Sequence, residues 1–404
     1  MRVAIVSDAL FVYGGAERVI EQLLDLYPQA DVFALVDFLP ADQRGFLGGR
    51  PVTTTFVQHL PWARRTFRAF LHLWPLAIEQ LDLRAYDLVI SSHHAVAHGV
   101  VTGPDQTHVV YTHSPMRYAW DLQHEYLQPA GAGRGSGGLA GWWIRRVLHN
   151  LRIWDHAAGQ RADMLIANSA FIGQRVRKCY GRTAEVVHPP VHVGKLPFSA
   201  EKDDYYLTLA RLAPYKRIDL VVEAFRRMPD RRLVVCGSGA SAKGLGGDIP
   251  PNVSVVGWQP EAEVHRLLGR ARALVFAGIE DFGIAAVEAQ ACGTAVVALG
   301  RGGSCETVRD ISGPLPTGVL FAEQTAESLI DGIDRLEALR GRIDPHNCRR
   351  NAETFAAARF QSEFEALVDR ALAGEPMSPI DLDDHGIADR RASRRALLAT
   401  AAAR

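Results

Sequence analysis

The sequence predicts two α/β domains of the Rossmann type, whose parallel sheets face each other across a central cleft. Three observations support this prediction. Short apolar runs alternate with amphipathic segments of helix length, the alternation stops near residues 190–200 and then begins again, and 404 residues are enough for two domains. Because such domains bind ligands at the carboxyl ends of their strands, we expect the functional site in the cleft.

The first series of strands and helices starts close to the N-terminus. Residues 2–7 (RVAIVS) are predicted to form a buried strand rather than a signal peptide, because the apolar run is short and stops at Asp8. A Gly14-Gly15 loop follows, and residues 16–27 carry apolar side chains at helical spacing. Further strands are predicted at residues 31–36, 87–92, 108–113 and 164–169.

The second series begins with a strand at residues 205–210 and a helix at residues 217–228. More strands are predicted at residues 232–237, 253–258, 273–278 and 295–299. We therefore predict an N-terminal domain, a C-terminal domain, a helix that crosses back to the N-terminal domain and a disordered tail, at residues 1–195, 196–355, 356–373 and 374–404 respectively. The Gly-rich residues 130–141 lack periodicity and are expected to form a mobile loop.

Composition excludes several classes of protein. The 45 basic and 45 acidic side chains give a formal net charge of +0, so there is no basic excess of the kind that nucleic-acid binding requires. The five cysteines form no C-x-x-C pair and are odd in number, which argues against a disulfide framework and fits a reducing cytosol. No run of about 18 apolar residues occurs, so no membrane span is predicted. We expect a cytoplasmic protein without a nucleic-acid partner.

The strongest functional signal lies at residues 276–293 (FAGIEDFGIAAVEAQACG). A buried strand ends at Gly278, Glu280 follows in the loop, and Glu288 lies eight residues later inside the next helix. The start of that helix, at Phe282-Gly283-Ile284, offers free backbone N–H groups and a partial positive charge that suit a phosphate. The two carboxylates can accept hydrogen bonds from the hydroxyls of a sugar and a ribose. The pattern predicts a site for a sugar nucleotide.

A second signal is a pair of cations within residues 210–225 (ARLAPYKRIDLVVEAF). Arg211 follows a predicted strand, and Lys216 precedes the next helix. Arginine offers a planar fork of donors and lysine a point charge, so together they can clamp an anion. A diphosphate leaving group needs such neutralisation while its bond to the sugar breaks.

These residues resemble the motifs of glycosyltransferase family 4, over roughly residues 1–372. The resemblance rests on the spacing of Glu280 and Glu288, on the run from Arg211 to Lys216, and on the early Gly-Gly loop. It implies the GT-B fold, retention of anomeric configuration, and an enzyme that uses no cofactor and needs no bound metal. The sugar donor would be a nucleotide sugar.

The resemblance also assigns roles to individual residues. Arg211 and Lys216 would bind the donor diphosphate, Glu280 the donor sugar and Glu288 the ribose. His113, at the end of a predicted strand, would touch the sugar, although a buried structural histidine is the alternative. The predicted catalytic residues are His113, Arg211, Lys216 and Glu280, and the predicted donor-binding residues are Gly14, Gly15, Arg211, Lys216, Phe282, Gly283, Ile284 and Glu288.

Three further segments resemble a narrower group that includes bacterial mannosyltransferases of O-antigen and exopolysaccharide assembly. They are HSPMRYAWD (113–121), ANSAFIGQRVRKCYGR (167–182) and VVHPPV (186–191). This resemblance implies GDP-mannose as the donor and a lipid-linked saccharide or polysaccharide precursor as the acceptor. A UDP-sugar donor, an epimerase with the same fold and a non-catalytic sugar-nucleotide binding subunit remain alternatives.

Four other features of the sequence bear on its function. Residues 233–244 match the dinucleotide pattern G-x-G-x-x-A, but the residues that follow would break the helix that this pattern requires. His93, His94 and His98 lack a metal-site pattern and are expected in a solvated loop without metal. Residues 62–75 and 142–154 mix aromatic side chains with cations. They either pack an aromatic stripe on the core or make peripheral contact with the inner face of the cytoplasmic membrane, which would suit a polyprenyl-linked acceptor.

Overall fold

The computed structural model describes residues 1–124, 138–209, 213–237, 239, 245 and 248–375. Within them the chain forms two parallel sheets, each with a hydrophobic core on both faces. The α/β fold class predicted from the sequence is therefore confirmed. The predicted tail lies outside the described residues from 376 onward, and so does most of the predicted mobile loop.

The first sheet contains seven parallel strands in the order β3-β2-β1-β4-β5-β6-β7. Its strands are β1 Val3–Leu10, β2 Asp31–Asp37, β3 Val52–Thr54, β4 Leu88–His93, β5 Thr107–Thr112, β6 Met164–Ala167 and β7 Glu185–Val186. The strand order reverses between β1 and β4, and such switch points open a crevice at the carboxyl ends of the strands. The Gly14-Gly15 loop follows β1 and so lies at this crevice.

The second sheet contains six parallel strands in the order β10-β9-β8-β11-β12-β13. Its strands are β8 Tyr206–Leu209, β9 Leu233–Cys236, β10 Val253–Gly257, β11 Ala273–Phe276, β12 Ala295–Leu299 and β13 Gly318–Phe321. Here the order reverses between β8 and β11. Lys216 follows β8 and Glu280 follows β11, so the topology directs both residues to one switch point.

Helices connect the strands and cover the sheets. Those of the described residues are α1 Gly15–Leu26, α2 Ala63–Thr66, α3 Trp74–Glu79, α4 Gly138–Gly159, α5 Ala170–Tyr180, α6 Ile218–Arg226, α7 Glu261–Arg270, α8 Ile284–Ala291, α9 Ser304–Thr307, α10 Ala326–Ala338, α11 Pro345–Glu353 and α12 Ala357–Leu372. None of the helices described is both long enough and apolar enough to cross a bilayer.

The structure differs from the sequence prediction at a few short elements. The strands β3 and β7 were not predicted, because three and two residues are too few to show a period, and the four-residue strand β13 was missed as well. The loop prediction is wrong for residues 138–141, which begin the helix α4. Leu148 and Leu151 bury one side of α4 in the core, and the good helix formers Leu139 and Ala140 extend it toward its N-terminus.

The helix α12 packs on the first sheet although it follows the second sheet in the chain. Phe360 and Phe364 are fully buried, and their rings lie 5.7 and 6.3 Å from the ring of Tyr111 on β5. Both phenylalanines belong to the core that β1, β4 and β5 share with α1. The helix α12 thus ties the segment that follows the second sheet to the first sheet.

A buried carboxylate fixes the wall of the cleft beside β1. Asp8 is 1% exposed and accepts hydrogen bonds from the backbone N–H groups of His94, Ala95, Val96 and Ala97 at 2.5 to 2.9 Å. These charge-assisted bonds satisfy four backbone donors of the turn after β4. The carboxyl ends of β1 and β4 are therefore held together at the switch point.

Candidate active site

Lys216 and Glu280 meet at the switch point of the second sheet. The Nζ atom of Lys216 donates to both carboxylate oxygens of Glu280 at 2.7 Å, and the two side chains are 21% and 17% exposed. A glycine at position 278 allows this approach, because a Cβ there would lie 2.7 Å from the carbonyl oxygen of Tyr215. The structure thus brings together two of the predicted site residues.

Glu288 faces the first domain across the cleft. It lies on the second turn of α8, and its Oε1 accepts a hydrogen bond from Nη1 of Arg18 on α1 at 2.5 Å. One turn away, Gly15 packs against Ile284, and a Cβ at Gly15 would lie 2.7 Å from the Cδ1 atom of Ile284. The beginning of α1 therefore meets the beginning of α8, and a ligand at either helix start would contact both domains.

The start of α8 is built from Phe282 and Gly283. The ring of Phe282 is buried and lies 5.4 Å from the ring of His188 and 5.5 Å from the ring of Phe355. Gly283 precedes the helix with a φ of +94°, which a side chain would oppose. Because the side chain of Phe282 is committed to the core, only the backbone at this helix start is placed to bind an anion.

His113 follows β5 in the first domain and is half-buried. Its Nε2 lies 2.9 Å from the Oγ of Ser92, and its backbone N–H donates to the carbonyl of His93 at 2.8 Å. Burial lowers the pKa of His113 to about 3, so the ring is neutral at pH 7. A neutral imidazole can donate a hydrogen bond to a sugar hydroxyl or accept one from it, but it brings no positive charge to the site.

Two predicted features lie outside the described residues. Arg211 is one of them, so only the Lys216 half of the predicted anion clamp is described. The dinucleotide-like segment at residues 233–244 is described only for residues 233–237 and 239.

Three residues that join the domains around this site were missed by the sequence analysis, namely Arg18, Asp281 and Glu306. Glu306 accepts hydrogen bonds from the backbone N–H groups of Ala170 at 2.8 Å and Phe171 at 3.1 Å, at the start of α5. A signal was present for two of the three, because Arg18 lies in the first turn of the helix that begins at the Gly-Gly loop and Asp281 is adjacent to Glu280. The sequence pattern offers no means of pairing them with partners in the other domain.

The prediction of a solvated loop for His93, His94 and His98 is wrong for His93 and His98, which are fully buried. Within the described part of the chain, these two and Asp155 form the one group whose ligand atoms could hold a metal ion, all within 4.8 Å of one another. The Nε2 atoms of both rings and Oδ1 of Asp155 are hydrogen-bonded, whereas the Nδ1 atoms of His93 and His98 are buried and have no hydrogen-bond partner among the described residues. His98 Nε2 and the hydroxyl of Tyr180 lie 3.2 Å from Oδ1 of Asp155, and His93 Nε2 lies 3.1 Å from the same hydroxyl.

Two family models match adjacent parts of the chain. Residues 13–195 match the family described as Glycosyltransferase Family 4, and residues 196–355 match the family described as Glycosyl transferases group 1. Among curated proteins, the D-inositol 3-phosphate glycosyltransferases of Mycobacterium tuberculosis (strain H37Rv) and Mycobacterium bovis (strain AF2122/97) are 30% identical to the chain over 225 residues. That stretch covers 48% of this chain and 46% of each relative, so the chain spans about half the length of the curated relatives it matches.

Solved structures resemble nearly the whole chain. Anabaena HepE in complex with UDP-glucose superimposes with a TM-score of 0.64 at 17% identity and covers 91% of this chain and 100% of its own. Sucrose-phosphate synthase from Thermosynechococcus elongatus superimposes with a TM-score of 0.69 at 17% identity and covers 93% of this chain and 100% of its own. At this identity the likeness establishes a shared two-domain fold.

Proposed function

We infer that this chain, a two-domain glycosyltransferase of the GT-B type, moves a hexosyl unit from a nucleotide sugar to a saccharide acceptor and retains the anomeric configuration. The observation that carries this proposal is the geometry of the cleft. Lys216 and Glu280 form a close ion pair at one switch point, and Glu288 reaches Arg18 beside the other. A cation for the diphosphate and carboxylates for sugar and ribose hydroxyls thus converge from separate parts of the chain.

The roles follow from the donor and acceptor capacity of each group. Lys216 has three N–H donors, of which Glu280 takes two, so one remains for a phosphate oxygen. Glu280 has lone pairs beyond those that face Lys216 and would accept hydrogen bonds from the sugar. Glu288 would bind the ribose through the oxygen that does not face Arg18. The acceptor would approach from the first domain, and the leaving phosphate would take its proton.

We propose GDP-mannose as the donor, because the motifs at residues 113–121, 167–182 and 186–191 resemble those of bacterial mannosyltransferases. A UDP-sugar is the second candidate, since the similar fold of HepE was solved with UDP-glucose. Both donors use the same diphosphate and ribose contacts, so the site residues proposed above do not depend on the choice. The two proposals differ in the nucleotide base of the donor, which is guanine in GDP-mannose and uracil in a UDP-sugar.

A ligand screen tests the function. We expect GDP and GDP-mannose to raise the melting temperature of the purified chain, and we expect slow release of mannose from GDP-mannose in the absence of acceptor. Stabilisation by UDP and a UDP-sugar would change the donor and keep the enzyme class. Stabilisation by NAD alone would overturn the proposal. Free sugar with an inverted C2 centre as the main product would identify an epimerase. Binding of a nucleotide sugar without transfer to any acceptor would identify a non-catalytic subunit.

The acceptor is proposed to be a lipid-linked saccharide, because the first domain presents an aromatic and cationic surface. We define the arginine–tryptophan surface by its exposed side chains Trp62, Arg64, Arg65, Arg68, Leu139, Trp142, Trp143, Arg145 and Arg146. Trp62 and Trp142 are 81% and 59% exposed, and the ring of Trp143 lies 6.2 Å from that of His72. Phe67 and Trp74 are buried, so residues 62–75 contribute some aromatic side chains to the core and expose others at the surface.

The charge of this surface suits an anionic bilayer. Residues 56–76 and 138–154 contain six arginines and no aspartate or glutamate. Exposed tryptophans prefer the headgroup region of a membrane, and arginines are attracted by anionic lipids. We propose that the arginine–tryptophan surface contacts the membrane that carries the acceptor.

Liposome binding tests this surface. Replacing Arg145 and Arg146 by glutamine should weaken binding to phosphatidylglycerol vesicles by about 30-fold, because each arginine near an anionic surface contributes about 1 kcal/mol. Binding should also fall as salt is raised. Trp258→Ala in the second domain, whose side chain is 71% exposed, is the matched control and should bind like the unchanged protein. Equal binding to phosphatidylcholine vesicles, or no binding at all, would count against the proposal.

A further inference from the structure

A buried carboxylate lies next to Glu280 and is bound by the opposite domain. The side chain of Asp281 is 11% exposed and forms ion pairs with Arg117 and Arg175, the latter at 3.3 Å. Both arginines belong to the first domain, whereas Asp281 belongs to the second. A buried charge is costly unless it is paired, so Asp281 is stabilised where these two cations reach it.

The backbone of Asp281 is held from the same side. The Oγ of Ser169 donates to its carbonyl oxygen at 2.6 Å, and Nη1 of Arg175 also contacts the Oγ of Ser114 at 3.2 Å. These partners come from the segments 113–121 and 167–182, in which only His113 has so far been given a role at the donor sugar. The two segments therefore converge on the residue that follows Glu280.

Arg117 also reaches the other member of the central ion pair. Its guanidinium lies 5.4 Å from the centroid of the Tyr215 ring, a cation–π contact, and Tyr215 directly precedes Lys216. Arg117 thus contacts the neighbours of both Glu280 and Lys216. A change at Arg117 would be transmitted to the two residues that are proposed to face the sugar and the diphosphate.

We propose that Arg117 and Arg175 are positioning residues, which bind Asp281 across the cleft and so fix Glu280 and Lys216 in the orientation that transfer requires. This inference rests on the proposed function for the roles of Glu280 and Lys216. The described residues assigned to nucleotide binding lie mainly in the second domain. Loss of the arginines therefore changes the geometry of the reacting centre more than it changes the affinity for nucleotide.

The kinetic test is the double variant R117Q/R175Q. Misplacing reacting groups by about 1 Å costs about 100-fold in rate, so we expect kcat to fall by about 100-fold. The Kd for the nucleoside diphosphate should rise by less than about tenfold, the smallest loss expected when Lys216 itself is replaced. Asp281→Asn, which removes the charge rather than leaving it unpaired, should show the same pattern. Arg177→Gln is the matched control, because Arg177 is exposed on α5 two residues from Arg175. An unchanged kcat in R117Q/R175Q would overturn the proposal, and so would equal losses in kcat and nucleotide affinity.

A second readout does not depend on the reaction. In small-angle X-ray scattering of the protein alone, R117Q/R175Q and D281N should have a larger radius of gyration than the unchanged protein, because the contact between the domains is weakened. If no nucleotide sugar is turned over, the proposed function fails, and the scattering comparison still decides on the contact. An unchanged radius of gyration in both variants would show that these residues do not hold the domains together.

Discussion

Replacing Glu280 by glutamine should lower kcat for sugar transfer by about 100- to 1,000-fold, the range found when one preorganised electrostatic partner is removed from an active site. Glutamine keeps the size of the side chain but loses the charge. It would weaken both the contact with Lys216 at 2.7 Å and the hydrogen bonds proposed to the sugar hydroxyls. Steady-state kinetics with the donor identified in the ligand screen measure this effect.

The control for Glu280→Gln is Glu263→Gln. Glu263 lies on α7 at the surface of the same domain, where it pairs with Arg266 at 2.7 Å. This control should keep its full activity, since a surface ion pair contributes little. Both variants should keep the far-UV circular dichroism of the unchanged protein. Full transfer activity in the Glu280 variant would show that Glu280 is not an active-site residue.

Replacing Lys216 by glutamine should weaken binding of the nucleoside diphosphate by about 10- to 100-fold, because a hydrogen bond to a charged group contributes about 1.5–3 kcal/mol. The value of kcat should fall as well, since the charge that develops on the leaving diphosphate would lose its cation. The change would also leave the carboxylate of Glu280 without its partner in a site where that side chain is 17% exposed. Isothermal titration calorimetry with GDP and UDP measures the Kd for the nucleoside diphosphate separately from kcat.

Arg217→Gln is the control for Lys216→Gln. Arg217 is the next residue, but its guanidinium pairs with Asp219 at 3.2 Å and not with Glu280. Glutamine at position 217 removes the same charge from the same loop, so a general effect of net charge would appear in both variants. Equal weakening of nucleotide binding in the two variants would contradict a specific role for Lys216.

Much of the fold could be predicted from local patterns. Strands such as β1 and β12 are short apolar runs, and α1 carries its apolar side chains at helical spacing. These features depend on a few neighbouring residues and on the periods of 2 and 3.6 residues that backbone geometry imposes. The positions of Lys216, Glu280 and Glu288 could be predicted for the same reason, because each lies beside the end of a strand or the start of a helix.

The burial of polar groups could not be predicted in this way. The segment that contains His93 and His98 resembles a solvated loop, yet both rings are fully buried beside Asp155 of α4. The predicted donor-binding residue Phe282 is a separate case, because its apolar ring is buried and only its backbone lies at the site. Burial depends on which helix covers a segment, and the contacting residue of that helix, Asp155, lies 57 residues after His98 in the chain.

By itself, the sequence determined the α/β class and most of the strands, because local periodicity shows them. It also contains the motifs whose resemblance to a known family predicts the donor-binding residues. Only the tertiary structure decided which residues meet across the cleft. Arg18 reaches Glu288 over a separation of 270 residues, and Arg117 and Arg175 reach Asp281 from two other segments. Such pairs depend on how one rigid domain is oriented on the other, and that orientation is set by the sum of all contacts between the domains rather than by any local pattern.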